Sequence, residues 1–253
     1  MPRGARKKGE SGIYHIILRG HNRQIIFEDD EDHEKFLHTI NNFKIKSGYR
    51  IYGYCLMGNH IHLLLHELNE EMGTIMRRIG ASYVYWYNWK YKRCGHLFQD
   101  RYKSEAVETD AYLLTVLRYI HQNPVKAGIV KNISGYKWSS YNDYINNFAW
   151  ITDIGFALDI LNEDREKGIQ KFIKYHQIPE EAKCLEIEAS LRLTDEEAQE
   201  IIKEKCCITS SLRLKEFEKA KKDRFIKELK EEGLSTRQIE RLTGISRGAI
   251  LKT

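Results

Sequence analysis

Residues 51–65 read Ile51-Tyr52-Gly53-Tyr54-Cys55-Leu56-Met57-Gly58-Asn59-His60-Ile61-His62-Leu63-Leu64-Leu65, two apolar runs on either side of a Gly-Asn pair. Such runs predict two strands joined by a tight turn at Gly58-Asn59. Because side chains alternate along a strand, His60 and His62 should lie on one face, with Ile61 facing the core. Two neighbouring imidazoles form half of a divalent-metal site, although many histidine pairs of this kind are merely exposed strand residues.

A second informative element, Tyr119-Ile120-His121-Gln122-Asn123-Pro124, lies at the end of a stretch with helical periodicity. Tyr119 and Asn123 are four residues apart, so they should share one helical face. Proline disfavours the α conformation of the residue before it, so we expect the helix to end at Asn123. A phenol and an amide oxygen would then project together from the last helical turn.

These side chains together fit a metal-assisted attack on a phosphodiester. A tyrosine hydroxyl is a weak nucleophile at its ordinary pKa and requires a polarised electrophile. A hard cation held by two neutral imidazoles and one amide oxygen keeps coordination positions open for a phosphate oxygen. Attack by tyrosine gives a covalent phosphotyrosine and a free hydroxyl end, and it conserves the bond energy for rejoining the strand to another end.

Further motifs accompany these two elements in a fixed order. They are Tyr14-His15-Ile16, Arg19-Gly20-His21-Asn22-Arg23 with Phe27, Tyr54–Leu65, Gly95-His96-Leu97-Phe98-Gln99-Asp100-Arg101-Tyr102-Lys103-Ser104, Leu117–Val130 and Trp138-Ser139-Ser140-Tyr141. Through these motifs, roughly over residues 1–145, the chain resembles the single-tyrosine HUH-type transposases, and specifically the REP-associated (repetitive extragenic palindrome) tyrosine transposases.

The resemblance implies a ferredoxin-like α+β domain that cleaves and joins single-stranded DNA at hairpin-forming palindromes with Mg²⁺ or Mn²⁺. It implies that His60 and His62 bind the metal, that Tyr119 is the nucleophile, and that Asn123 is the third ligand, a position occupied by glutamine in related transposases. His15 aligns with a family histidine whose role is to support a ligand or the structure. Gly58 departs from the usual proline, which should affect the turn rather than the ligands.

Composition and charge divide the chain into three parts. Residues 1–150 carry 21 Lys and Arg against 15 Asp and Glu, a net charge of +6. Residues 151–210 carry 8 against 14, a net charge of −6, and residues 211–253 carry 12 against 7, a net charge of +5. We therefore expect a catalytic domain at 1–150, an acidic helical linker or subdomain at 151–210, and a DNA-binding region at 211–253.

The 253-residue chain contains no 18-residue apolar run, no signal-peptide pattern and no CxxC motif among its five cysteines. These features predict a cytoplasmic protein with reduced thiols that makes no contact with a membrane. Whether it acts as a monomer or as a homodimer is left open by the sequence.

Hydrophobic periodicity predicts the layout of the first domain as an antiparallel sheet with helices on one face. The predicted strands are Gly12–Arg19, Tyr49–Met57, His60–Glu67 and Tyr102–Glu108; the predicted helices are Asp30–Lys46, Glu71–Lys92 and one that starts at Thr109 or Asp110. The aromatic run Tyr83–Tyr91 favours core packing over base stacking, with Tyr87 or Tyr91 as exposed exceptions.

The tail has the pattern of a helix-turn-helix similar to that of replication initiators and sigma-type factors. An amphipathic helix over Lys219–Glu232 closes at Gly233, Ser235 caps a second helix, and a turn at Thr243–Ser246 leads into a third. A plain helical hairpin is the alternative. The side chains expected to contact DNA are Arg3, Arg6, Arg19, Arg23, Arg77, Arg78, Arg101 and Lys103, with Arg237, Ser246, Arg247 and Lys252 in the tail.

Two classes of function fit these features. The first is an active transposase that cleaves and transfers single strands at hairpins through phosphotyrosine, with its tail bound to duplex DNA. The second is a DNA-binding regulator that keeps the fold and has lost the chemistry. A replication initiator or relaxase with the same histidine pair fits the 118–130 motif less well. The presence of His60, His62, Tyr119 and Asn123 together favours the enzyme.

Overall fold

A computed structural model describes residues 8–179, 184–185, 195–208 and 210–253. The chain divides into two compact units, Met1–Ile187 and Glu188–Thr253. Within the described residues, no helix has the length and apolar character needed to cross a membrane.

The first unit is built on a four-stranded antiparallel sheet. Its strands are β1 (Ile13–Arg19), β2 (Arg50–Met57), β3 (His60–His66) and β4 (Lys103–Ala106), in the spatial order β2-β3-β1-β4. Met57 pairs with His60 across the Gly58-Asn59 turn. The predicted tight hairpin and the antiparallel sheet are therefore confirmed.

Helices cover both faces of this sheet, so the expectation of helices on one face is wrong. On one face lie α1 (Asp30–Ser47) and α2 (Met72–Lys90). On the other lie α3 (Asp110–Lys126), α4 (Tyr141–Ile145), α5 (Ile154–Leu161) and α6 (Arg165–Gln177). The physical reason is visible in β2 and β3, where consecutive residues are buried because the side chains of both pleats meet a hydrophobic core.

Helix α3 runs further than its proline predicts. It begins after Thr109, whose hydroxyl accepts a hydrogen bond from the Tyr112 amide, and it continues through Pro124 to Lys126. The predicted end at Asn123 is wrong because proline removes a single amide donor, and the last turn tolerates that loss when packing holds the turn in place. Gly128, at φ +70°, follows the end of the helix.

The acidic segment 151–210 is not one structural piece. Its helices α5 and α6 belong to the first unit, where Ala157, Leu158 and Phe172 are fully buried in the core beneath α3. Its last helix, α7 (Asp195–Cys206), belongs to the second unit. Net charge therefore does not mark the structural boundary, because charged residues occupy the exposed faces of helices that pack into different cores.

The second unit contains α7, α8 (Lys219–Glu231), α9 (Thr236–Thr243) and α10 (Arg247–Lys252) around an apolar core. Ser235 and Gln238 form a reciprocal capping box at the start of α9, and Gly244 ends it in the left-handed conformation. The apolar side chains of α9, of the turn after it and of α10 are buried, namely Ile239, Leu242, Ile245 and Ile250.

We predict that Phe172→Ala lowers the free energy of unfolding of the full chain by about 3–5 kcal/mol, because a fully buried ring leaves a cavity in the core beneath α3. Phe148→Ala is the matched control, since Phe148 is 77% exposed and should change stability by no more than about 0.5 kcal/mol. Chemical denaturation measures both values. Equal, small effects would show that α6 contributes nothing to the stability of the first unit.

Candidate active site

The register of the sheet places the histidine pair on the face that α3 covers. His60 lies opposite Arg19 and His62 opposite Ile17, and the centroids of the two imidazoles are 5.0 Å apart. Ile61, between them, is fully buried in the core on the opposite face. The alternation expected from the sequence is thus present, and both rings face the same helix.

A neighbouring amide fixes the orientation of His60. The side-chain amide of Asn59 donates to the Arg23 carbonyl at 3.3 Å, so its oxygen points at His60 Nδ1, 2.7 Å away. A carbonyl oxygen only accepts, so Nδ1 carries the proton and Nε2 of the neutral ring keeps its lone pair. Burial and the nearby Arg19 lower the pKa of His60 to about 4, which keeps the ring neutral. Nε2 of the neutral His60 ring is therefore left unprotonated, as a metal ligand would have to be.

His15 supports His62 from behind. Its Nε2 lies 3.1 Å from His62 Nδ1, the two rings stack at 5.4 Å between centroids, and both are buried. The pKa of His15 is lowered to about 3 by burial, and that of His62 is also lowered, by burial first and then by His15 and His60. When His62 donates from Nδ1 to His15, its Nε2 is left to act as a ligand. His15 Nδ1 has no hydrogen-bond partner, so supporting His62 leaves one buried polar atom unsatisfied.

Helix α3 brings Tyr119 and Asn123 to the same place. The Tyr119 ring lies edge-on to His62 at 5.7 Å and to His15 at 5.8 Å between centroids. The Asn123 side-chain amide donates to the Tyr119 carbonyl at 2.8 Å, which leaves the amide oxygen as the free end of that side chain. The two side chains share one face, as expected, although the helix does not end there.

One cleft of about 390 Å³ is lined by all four predicted site residues, His60, His62, Tyr119 and Asn123. Its lining consists of Ile17, Arg19, Met57, Asn59, His60, His62, Tyr119, Asn123, Lys126 and Ala127. Sequence reasoning missed Lys126, whose Nζ lies 4.9 Å from the centroid of the Tyr119 ring. The available signal was helical spacing, since residue 126 follows residue 119 by seven positions and so returns to the same face. It also missed Asn59, which the turn places beside His60.

The donor set at the cleft fits a divalent cation with open coordination positions. The described residues contain no cluster of three or more His, Cys, Asp or Glu side chains that could enclose a metal. Within the lining of the cleft, His60 and His62 could supply two nitrogens to a cation, and Asn123 could supply an amide oxygen. Such an incomplete, neutral set leaves room for the oxygen ligands that Mg²⁺ and Mn²⁺ prefer.

The cations expected to contact DNA are dispersed over the first unit. Arg19 lines the cleft, and Lys103 on β4 lies opposite Ile17, so it shares the face of the histidines. Arg23, Arg77 and Arg101 are exposed. Arg78 is engaged by Glu70 and the Ser47 hydroxyl. Arg3 and Arg6 lie outside the described residues.

The exposed aromatic residues on α2 are not those expected. Tyr87 is 1% exposed and donates to Glu28, and Tyr91 is partly buried against the core beneath α2. Tyr85 and Trp89 are instead 78% and 72% exposed. The expectation for Tyr87 is wrong because Tyr83 and Tyr87, four residues apart, follow Ile79 on the buried stripe of the helix. In the tail, Arg237, Ser246, Arg247 and Lys252 are all exposed.

Comparisons with known proteins bear on the fold and the family of the first unit. No curated protein matches the chain. A solved structure described as "Structure of the REP associates tyrosine transposase bound to a REP hairpin" superposes with a TM-score of 0.51 at 19% sequence identity, covering 61% of this chain and 93% of that one. This likeness shows a shared fold. Residues 9–123 match the family described as "Transposase IS200 like". The segment that holds β1 through Asn123 is thus a domain of the IS200-like transposase family.

Proposed function

We propose that this protein is a metal-dependent single-stranded DNA endonuclease and transposase that uses Tyr119 as its nucleophile. The observation that carries the proposal is the edge contact of the Tyr119 ring with His62 inside one cleft that also contains His60 and Asn123. A nucleophile beside two neutral imidazoles and an amide oxygen is the set of groups that transesterification of a phosphodiester requires.

His60 and His62, through Nε2, and Asn123, through its amide oxygen, would hold Mg²⁺ or Mn²⁺. When bound, the cation supplies Lewis-acid polarisation of the scissile phosphate. Asn59 and His15 hold the two imidazoles in the ligand orientation by fixing their opposite nitrogens. Arg19, on the wall of the same cleft, contributes positive charge for the phosphate backbone.

Tyr119 would perform the covalent step. Its oxygen forms a bond to phosphorus while the bond from phosphorus to the leaving deoxyribose oxygen breaks, and that oxygen takes the electron pair and a proton. The phenolic proton passes to solvent as the bond forms, and solvent supplies the proton that the leaving oxygen takes. Lys126, close to the phenol ring, stabilises the negative charge that develops as the proton leaves. The reverse reaction with another hydroxyl end restores the phosphodiester, so strands can be exchanged without a cofactor that supplies energy.

The substrate we propose is a DNA hairpin with an adjoining single strand. The solved structure of similar fold is described as bound to a REP hairpin. In this chain, Lys103 shares the sheet face of the cleft and Arg23 follows β1. The second unit, with its capped helix-turn-helix, would bind duplex DNA, and the helices of 151–210 would support the two cores rather than touch DNA.

Tyr119→Phe should abolish formation of a covalent protein–DNA adduct, because it removes only the attacking oxygen. Hairpin affinity should stay within about twofold, since every cation that pairs with a phosphate is kept. Denaturing gel analysis with a labelled oligonucleotide and Mn²⁺ measures the adduct, and Tyr112→Phe on the same helix is the matched control. An adduct that persists in Tyr119→Phe disproves the assignment. A wild-type protein that binds the hairpin and forms no adduct supports a regulator.

The tautomer of His60 provides a test of the metal site. Asn59→Ala removes the oxygen that holds the proton on Nδ1, so Mn²⁺ affinity measured by calorimetry should fall about 10- to 100-fold. Asn59→Asp keeps an acceptor at that position and should retain most of the affinity. His60→Ala should lose the site altogether. Affinity in His60→Ala equal to that of the wild type would exclude this cleft as the metal site.

The tail can be tested without disturbing its core. Arg247→Ala combined with Lys252→Ala removes two exposed cations from α10, so the log–log salt dependence of duplex binding should flatten by about 0.9 for each phosphate that is no longer neutralised. Lys203→Ala with Lys227→Ala removes the same charge from exposed positions on α7 and α8 and is the control. Equal salt-dependence slopes for the two double variants would show that α10 is not part of the duplex-binding surface.

A further inference from the structure

A buried series of hydrogen-bonded side chains lies on the far side of α3, the helix that carries Tyr119, and joins this helix to α6. His121 of α3 is fully buried, and its Nδ1 lies 2.9 Å from His176 Nε2 on α6 while its Nε2 lies 2.7 Å from the Ser140 hydroxyl. Neither His121 nor His176 is among the residues that line the cleft, and neither takes part in the chemistry proposed above.

One backbone carbonyl sets the tautomers of both imidazoles in this buried series of polar groups. The Phe172 carbonyl can only accept, so His176 Nδ1 is the donor at 2.9 Å, and Nε2 of the neutral ring is an acceptor. His121 must then donate from Nδ1 to His176 and accept at Nε2 from the Ser140 hydroxyl. The Ser140 oxygen in turn accepts from the Tyr54 amide of β2 at 2.9 Å. The Tyr54 carbonyl, at 3.3 Å, is a second and more distant acceptor for the Ser140 proton than His121 Nε2. Sheet, loop, α3 and α6 are thus joined by one series of hydrogen bonds.

Both imidazoles in this series are held neutral, as its hydrogen bonding requires. Burial lowers the pKa of His176 to about 3 and also lowers the pKa of His121. Aromatic rings of Tyr141, Tyr144 and Phe172 surround His121 at centroid distances of 5.7, 5.9 and 5.9 Å. The pair therefore lies in an apolar environment in which an unpaired ring nitrogen would be destabilising.

The next residue of α3 makes a second connection to the same helix. The side-chain amide of Gln122 donates to the carbonyls of His176, at 2.9 Å, and Ile178, at 2.8 Å. These carbonyls belong to the C-terminal end of α6, where a helix has no internal donors for them. Consecutive side chains of α3 are thus bonded to α6 in the stretch between Tyr119 and Asn123.

These hydrogen bonds hold the part of α3 that lacks one backbone hydrogen bond of the helix. Pro124 has no amide proton, so the helix lacks the bond that would join residue 124 to the carbonyl of Ile120. Tyr119 directly precedes Ile120 and Asn123 directly precedes Pro124, so both site residues are next to the two ends of the missing bond. A turn with a missing bond would otherwise be free to shift, and a displacement of about 1 Å in an active-site group can lower the rate about 100-fold.

We propose that the end of α6 positions the last turn of α3 so that Tyr119 and Asn123 face His60 and His62: the His176 side chain acts through His121, and the backbone carbonyls of His176 and Ile178 act through Gln122. This inference rests on the proposed function of Tyr119. It extends the functional unit to α6, which lies beyond the residues 9–123 that match the transposase family. Helix α6 thereby becomes part of the catalytic apparatus without contacting substrate.

The test compares variants of the full chain that differ in these bonds and not in the cleft. His176→Ala and Gln122→Met should lower the rate of adduct formation at saturating Mn²⁺ and DNA about 10- to 100-fold. Hairpin affinity should be unchanged within about twofold, because the substituted side chains lie outside the cleft and carry no positive charge for phosphate. His176→Gln, which can both donate and accept, should restore part of the rate. Ile169→Ala, which removes only packing from the same helix, is the control for reduced stability.

A second measurement does not depend on activity. Amide hydrogen exchange over residues 119–127 should quicken in His176→Ala and not in Ile169→Ala at matched thermal stability. If the wild type forms no adduct, the proposed function fails, and exchange alone decides the positioning role. If the wild type is active and His176→Ala matches Ile169→Ala in rate and in exchange, the positioning role is overturned while the function stands.

Discussion

The structure depends on the two-sided burial of β3. Because side chains alternate along this strand, Ile61, Leu63 and Leu65 enter the core beneath α1 and α2, whereas His60, His62 and Leu64 face α3. The same alternation that anchors the strand therefore presents two imidazoles to a helix on the opposite face. A slip of one residue in register would bury the histidines among the apolar side chains under α1 and α2, so the fold and the site share one constraint.

Hydrogen bonding gives both histidine sites a defined proton distribution. At the cleft, the Arg23 carbonyl orients the Asn59 amide, which in turn keeps the proton of His60 on Nδ1. Behind α3, the Phe172 carbonyl orients His176 and, through it, His121. In each case a backbone group that can only accept sets the tautomer of an imidazole further along. At the cleft, the tautomer set in this way leaves Nε2 of His60 unprotonated. Behind α3, it makes Nδ1 of His121 the donor to His176.

Local patterns in the sequence predicted most of the helices and strands of both units, because each has a strong signal of its own. The Gly58-Asn59 turn, the Thr109 cap and the Ser235 capping box are decided by residues within a few positions of one another. Long-range packing was not predictable in this way. The second helical layer, the extension of α3 past Pro124 and the burial of Tyr87 depend on partners far away in the chain, such as Phe172 and Glu28. His60, His62, Tyr119 and Asn123, all predicted as site residues, line one cleft. Lys126 was missed although its spacing from Tyr119 is helical, whereas the contact of His176 with His121 depends on the packing of α6 against α3.

The proposed chemistry requires that His60, His62 and Asn123 hold a divalent cation beside Tyr119 within a single chain. Anomalous diffraction from crystals of the Tyr119→Phe variant with Mn²⁺ and an uncleaved hairpin oligonucleotide would locate this cation. We expect a manganese peak at about 2.0–2.2 Å from Nε2 of both histidines, with a phosphate oxygen among its ligands. Manganese bound through Nδ1 of His60, or at a site that excludes His62, would show that the proposed metal site is wrong.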